Sequence, residues 1–336
     1  MRLLVAAALV LTLAACQSTP LDTNAASVAV LARYLDEDQP GCSAAVARDG
    51  EVVWAGAGGI ADTSTGAELT TASVFDIASV SKQFTGVAIL LLEQDGLLSL
   101  DDPLSLYVPG LGSDSDRITI SALLHHTTGI ADYTSLMDAE LDEPTTQEDA
   151  IAAIAALPRL AGTSAFSYSN SNYVLLAEIV EAASGIPLAE FLEQRVFGPL
   201  ELDMRLEPLY SAPGVAVGHE AGEPVAAAWT QIGDGSLYTT PSELVRWADN
   251  YRTGTVGGEA LLEAQLAGAV DTGYGSAYGA GIEVAADGAL SHLGGWAGVV
   301  TIFGITGDRH TAIAVSCNSV EANAGAIAEA LRDIHT

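Results

Sequence analysis

Residues 79–94, SVSKQFTGVAILLLEQ, are apolar almost all the way round a helix, and Gly96 follows as a stop. A helix of that kind is stable only where protein covers it on every side, so the fold must place it centrally. The chain ends supply different material. Residues 42–58 read as a hairpin, because apolar runs meet at Asp49-Gly50, a strong two-residue turn signal. Near the other end, residues 281–285, 289–293, 299–305 and 311–317 are strand-like, separated by Asp287-Gly288, Gly294-Gly295 and Thr306-Gly307-Asp308. A helix over about 321–334 closes the chain. Between the β-rich ends, further helices are expected over 172–184, stopped by Gly185 and Pro187, and over 243–251, opened by Pro241 and Ser242.

These segments predict an α+β fold: an antiparallel sheet formed by both chain ends and flanked by helices, with a mostly helical domain inserted. The expected division is an α/β part over about 27–78 and 250–336 and a helical part over about 79–249.

The first residues are set apart. Arg2, the run Leu3 to Leu13, and Ala14-Ala15 directly before Cys16 have the layout of a bacterial secretory signal over 1–15, too short for a good membrane span. Leu13-Ala14-Ala15-Cys16 resembles a lipobox, which makes Cys16 the expected lipidated N-terminus and 16–26 a tether. The expected location is the cell envelope, lipid-anchored, facing the periplasm from the outer membrane if the host is Gram-negative. Contact with the membrane is then expected through the lipid alone.

Charge narrows the partners. With 12 Lys+Arg against 43 Asp+Glu the formal charge is −31, which argues against nucleic acid and anionic lipid and suits a solvated acidic surface. Eleven of the twelve basic residues are arginine, and the single lysine is Lys82. Arginine does not lose its proton in a protein, whereas a buried lysine can, and so can serve as a base. With Cys16 assigned to lipid, Cys42 and Cys317 remain in a compartment that permits disulfides. If the first hairpin strand lies antiparallel to the last strand, they meet and can be bridged; two free buried thiols are the alternative. No zinc spacing and no HExxH occur, and neither metal nor cofactor is expected.

Ser79-Val80-Ser81-Lys82 fits Ser-x-x-Lys, which at a helix start puts hydroxyl and amine on one face, one turn apart. The amine can then take the serine proton, and the helix N-terminus favours the developing anion. Asp76 is placed to cap that helix. Absence of Gly-x-Ser-x-Gly counts against an α/β-hydrolase.

With these residues, the segments FDIASVSKQFTGVAILLLEQDGLLSLDDPLSLYVP (75–109), ITISALLHHTTGI (118–130), FSYSNSNYVLLAEIVEAASGIPLAEFLEQRVFGPLELDM (166–204), GDGSLYTTPSELVRW (233–247) and HLGGWAGV (292–299) together resemble the serine β-lactamase and penicillin-binding-protein superfamily in its class C-like branch. The resemblance implies that Tyr168-Ser169-Asn170 is the Tyr-x-Asn motif, Tyr168 shuttling protons and Asn170 holding Lys82 and the substrate. It implies that His292-Leu293-Gly294 is the third motif, that Gly294 lets backbone approach substrate, and that the N–H groups of Ser79 and Gly295 form an oxyanion hole. His292 stands where β-lactamases have lysine, and a histidine of ordinary pKa, about 6.5, is only partly charged at neutral pH. Strong β-lactam turnover is therefore not expected, and esterase, D-aminopeptidase and D-amino-acid amidase relatives are the better guide. His125 and His126 are read as structural, at a packed helix end. Trp229, Trp247 and Trp296 are candidates to line a pocket, Trp296 foremost.

The expected function is hydrolysis of a small ester or a D-amino-acid or cell-wall peptide amide through an acyl-enzyme on Ser79. A sensor or decoy that acylates without turnover, or a true class C-type β-lactamase, is the alternative.

Overall fold

The computed structural model describes residues 22–112, 114–136, 145–158, 165–225, 228 and 230–336. The signal over 1–15, Cys16 and Trp229 lie outside them. The fold is α+β. Among the described residues the largest sheet has eight antiparallel strands. They are β1 (Cys42–Arg48), β2 (Glu51–Gly58), β3 (Val270–Asp271), β4 (Ser276–Tyr278), β5 (Glu283–Ala285), β6 (Leu290–Trp296), β7 (Val299–Ile305) and β8 (Thr311–Cys317). Their spatial order is β3-β4-β5-β6-β7-β8-β1-β2, so the last strand of the chain lies beside the first.

Alternation along β1 and β8 builds two cores, one on each face of the sheet. Ala44, Val46, Ile313 and Val315 face helices α1 (Thr23–Tyr34) and α5 (Ala324–His335), where Leu31, Ile327 and Leu331 complete a small cluster. Ala45, Ala47, Ala312 and Ala314 belong to the main cluster, which includes the apolar residues of α2 (Lys82–Gln94) and α3 (Asn170–Ser184). Eleven of the thirteen residues of α2 are buried, which is the central position its composition demands. Gly86 lets α2 come this close, since a Cβ there would meet the Ala280 carbonyl oxygen at 2.5 Å.

Three boundaries differ from the sequence reading. Residues 23–26, taken as tether, begin α1, because Asp22 accepts the Ala25 N–H and caps the helix. Residues 78–81 form a 3₁₀ turn, so α2 begins at Lys82 rather than at Ser79. Helix α4 (Pro241–Trp247), assigned to the helical part, packs on β1 and β8, because its Leu244, Val245 and Trp247 complete the core against the alanine face.

Cys42 and Cys317 are directly opposed in the β1–β8 register and form a disulfide. Their Cα atoms are 4.0 Å apart, nearer than the usual separation of about 5.5 Å. The link closes a loop spanning a sequence separation of 275. Replacing both cysteines with alanine should lower stability by about 3 kcal/mol, measured as a shift in denaturation midpoint at constant m. A loss below about 1 kcal/mol would mean that the sheet alone holds the two ends.

Candidate active site

The site forms where β6 passes the turn leading into α2. A short strand, Phe75–Asp76, pairs with Leu237–Thr239 and delivers the chain to that turn. Asp76 does not act at the N-cap of α2; its Oδ1 accepts the Ala78 N–H at 2.8 Å, one step earlier, because a 3₁₀ turn precedes the helix. Ala78 has a φ of +48°, a left-handed conformation rare outside glycine, immediately before Ser79.

Lys82 is fully buried. Its Nζ donates to Ser79 Oγ at 2.9 Å, Asn170 Oδ1 at 2.8 Å and the Asp234 carbonyl at 2.7 Å. Asn170 opens α3 and is fixed from behind: its backbone N–H and Nδ2 donate to Asp132 Oδ2 at 3.2 and 3.0 Å. With Nδ2 committed to the carboxylate, Oδ1 is left for the lysine. The Tyr168 ring lies 5.2 Å from Lys82 Nζ by its centroid and is 38% exposed, but its hydroxyl makes no hydrogen bond to Ser79 or Lys82. The ring rests instead on His126, centroid to centroid 4.4 Å.

His292 is enclosed, with 5% of its surface exposed. Its Nδ1 donates to the Leu293 carbonyl at 2.8 Å, since a carbonyl can only accept, and Nε2 then accepts from the Tyr278 hydroxyl at 2.9 Å. Burial, and after it the charge of Lys82, lowers its pKa to about 3. The expected partial positive charge is therefore corrected to none: this imidazole is neutral throughout the physiological range.

Gly294 has a use the sequence did not show. A Cβ there would lie 2.2 Å from the Ile77 carbonyl oxygen, so the glycine admits the turn that carries Ser79. Gly295 has open space where a Cβ would be, and with Ser79, Asn170, Asp234 and Trp296 it lines a small cavity of about 50 Å³. The two proposed oxyanion donors, Ser79 and Gly295, thus border one cavity, and Trp296 borders it too. Trp247 does not: it is fully buried and donates from Nε1 to Gln83 Oε1 at 2.6 Å.

His125 reaches the carbonyls of Ser121 and Ala267 through its two ring nitrogens. His126 is buried and accepts the Ser169 N–H on Nδ1, and burial holds its pKa well below the usual value. Both sit as structural residues, although His126 also supports the Tyr168 ring. Sequence reasoning missed Asp132, Tyr133, Asp234 and Tyr278. The Tyr133 hydroxyl donates to Asp234 Oδ2 at 2.8 Å, and burial raises the Asp234 pKa to about 6. Asp234 lies within GDGSL, inside a stretch that carries the family resemblance, and Asp132 lies two residues beyond the end of another, ITISALLHHTTGI.

Comparison with known proteins agrees with this architecture. A penicillin-binding protein 4* of Bacillus subtilis (strain 168) is 35% identical over 159 residues, 46% of this chain and 35% of that protein. A D-aminopeptidase of Brucella anthropi is 29% identical over 260 residues, covering 73% of this chain and 49% of that protein. The chain thus spans half or less of the length of these two curated relatives. The crystal structure of D-amino acid amidase from Ochrobactrum anthropi SV3 complexed with D-phenylalanine superposes with a TM-score of 0.80 at 22% identity, covering 94% of this chain and 99% of that one, which establishes the shared fold. The beta-lactamase family model matches residues 28–336, nearly the whole described chain. On that match the chain belongs to the beta-lactamase family, in the superfamily that also contains the penicillin-binding proteins.

Proposed function

We propose that this protein is a serine hydrolase that cleaves an ester or amide through an acyl-enzyme on Ser79. The observation that carries the reading is the 2.9 Å approach of the buried Lys82 nitrogen to Ser79 Oγ, the spacing of a nucleophile beside its base. In its neutral form the amine gives its two hydrogens to Asn170 Oδ1 and the Asp234 carbonyl, and its lone pair takes the serine proton as Oγ adds to the carbonyl. The resulting anion is stabilised by the N–H groups of Ser79 and Gly295, and Tyr168 passes the proton on to the leaving group. Water admitted beside Tyr168 then releases the acyl group. Asn170 keeps Lys82 aimed at Ser79, and Asp132 keeps Asn170 from turning.

The neutral His292 favours substrates without a carboxylate to be recognised at that position, and so argues against strong β-lactam turnover. Esters and aminoacyl amides remain, in keeping with the D-aminopeptidase and D-amino acid amidase named among the relatives. Lipidation at Cys16 would hold this activity at the cell envelope.

The test is a fluorophosphonate probe followed by peptide mapping, together with a panel of p-nitrophenyl esters, D- and L-aminoacyl amides and a chromogenic cephalosporin. The expected result is a single adduct on Ser79 and turnover of esters or amides that the adduct abolishes. Hydrolysis persisting after full labelling would overturn the reading, and an acyl adduct that never clears would make the protein a sensor.

A further inference from the structure

Trp296 lines both the Ser79 cavity and a second, larger cleft of about 500 Å³. Tyr210, Tyr238, Val215 and Val217 give this cleft an aromatic and apolar wall. Into that wall is set Asp76, 9% exposed and three residues before Ser79. Its Oδ1 is held by the Ala78 N–H. Its other oxygen has no donor among the described residues.

Among the described residues, neighbouring charges leave this carboxylate without a counter-ion. Lys82 is committed to Ser79, Asn170 and the Asp234 carbonyl. Arg205 lies over the Tyr210 ring, 4.7 Å from its centroid, and is 3.5 Å from Glu207, while Tyr238 stands between Arg205 and Asp76 in the strand register. Asp62, also on the cleft, is satisfied by Ser64 and Thr65. Asp234 adds negative charge from the Ser79 side; burial first and that charge next push the Asp76 pKa up to about 7. A carboxylate enclosed by aromatic rings and lacking a cation is costly by itself, and a bound ammonium relieves the cost through a charge-assisted hydrogen bond and the faces of the rings.

We propose that the acyl part of the substrate carries a primary ammonium on its side chain, which docks in this cleft against Asp76 among Tyr210, Tyr238 and Trp296. The proposal rests on the reading of Ser79 as the acylated residue and supplies the substrate class that reading lacks. It also fits the field of a chain with a formal charge of −31, which draws cations toward the surface.

The test compares p-nitrophenyl esters of Nα-acetyl-lysine and Nα-acetyl-norleucine, both enantiomers, on the full chain. The side chains differ by the ammonium alone. The wild type should prefer the lysyl ester in kcat/KM by at least about tenfold, and Asp76→Asn, which keeps an oxygen to accept the Ala78 N–H, should bring the ratio to about one. Reading a ratio within each enzyme cancels any shared loss of folded protein, and the wild-type ratio stands without the variant. Equal rates on the two esters, a preference for norleucine, a preference that survives Asp76→Asn, or refusal of both esters by protein whose Ser79 takes the fluorophosphonate would overturn the proposal and leave the serine hydrolase standing. If neither ester is cleaved and Ser79 stays unlabelled, the parent reading fails and this proposal with it.

Discussion

Lys82→Arg should reduce kcat/KM for an activated ester by about 10³- to 10⁴-fold, the range in which a positioned base contributes. Arginine is always protonated and can still donate to Asn170, so it reproduces the site as it stands once the lysine has taken the proton. What it cannot do is accept the Ser79 proton, because guanidinium does not titrate in proteins. Pre-steady-state labelling of Ser79 by a fluorophosphonate should slow in parallel, since that reaction needs the same deprotonation. A circular-dichroism melt checks that the larger side chain is housed, which matters because Lys82 is fully buried. A variant that melts normally and retains activity within tenfold would show that Lys82 serves only as a charge, and would pass the base to Tyr168.

How far the sequence foretold this site depends on whether a residue's role is local. The hairpin at Asp49-Gly50 was legible because two residues with positive φ, +54° and +85°, are a local requirement. Strands β7 and β8 were legible for the same reason, through runs bounded by Gly and Asp. That Cys42 and Cys317 can meet was legible once both ends were assigned to one sheet, while free thiols stayed the alternative until the register was in place. Ser79 and Lys82 share a single turn, so their contact is written in their spacing. Tyr278 has no such record: it meets His292 from 14 residues away across the sheet, and no periodicity ties a tyrosine on β4 to a histidine on β6. The charge of His292 was misjudged because burial belongs to the assembled fold. Trp247 was misjudged because an indole that lines a pocket and one that fills a core look alike until its partner, Gln83, is in place. The packing role of Gly294 was missed because the sequence does not reveal which backbone comes close to it.

That last correction leads to the second large effect. Gly294→Ala would put a Cβ 2.2 Å from the Ile77 carbonyl oxygen and 3.2 Å from the Ala78 Cβ, closer than any real contact of the first kind. Both obstacles belong to the catalytic turn, and neither is the end of a flexible side chain, so the conflict can be relieved only by moving β6 away from the turn. Ser79 rides on the turn and Gly295 on the strand, which places the two oxyanion donors on opposite sides of the seam that opens. Separation by about 1 Å is enough to cost about 10²-fold in rate. The expected result is therefore a fall of about that size in kcat for a small ester, with a smaller change in KM and a folded protein. Gly304→Ala is the control: it lies on β7, and its nearest contact would be the Leu290 oxygen at an ordinary 3.8 Å. If the two variants lose activity equally, the seam between β6 and the turn does not set the catalytic geometry. If only Gly294→Ala loses it, the third motif's glycine holds the strand against the turn that carries Ser79.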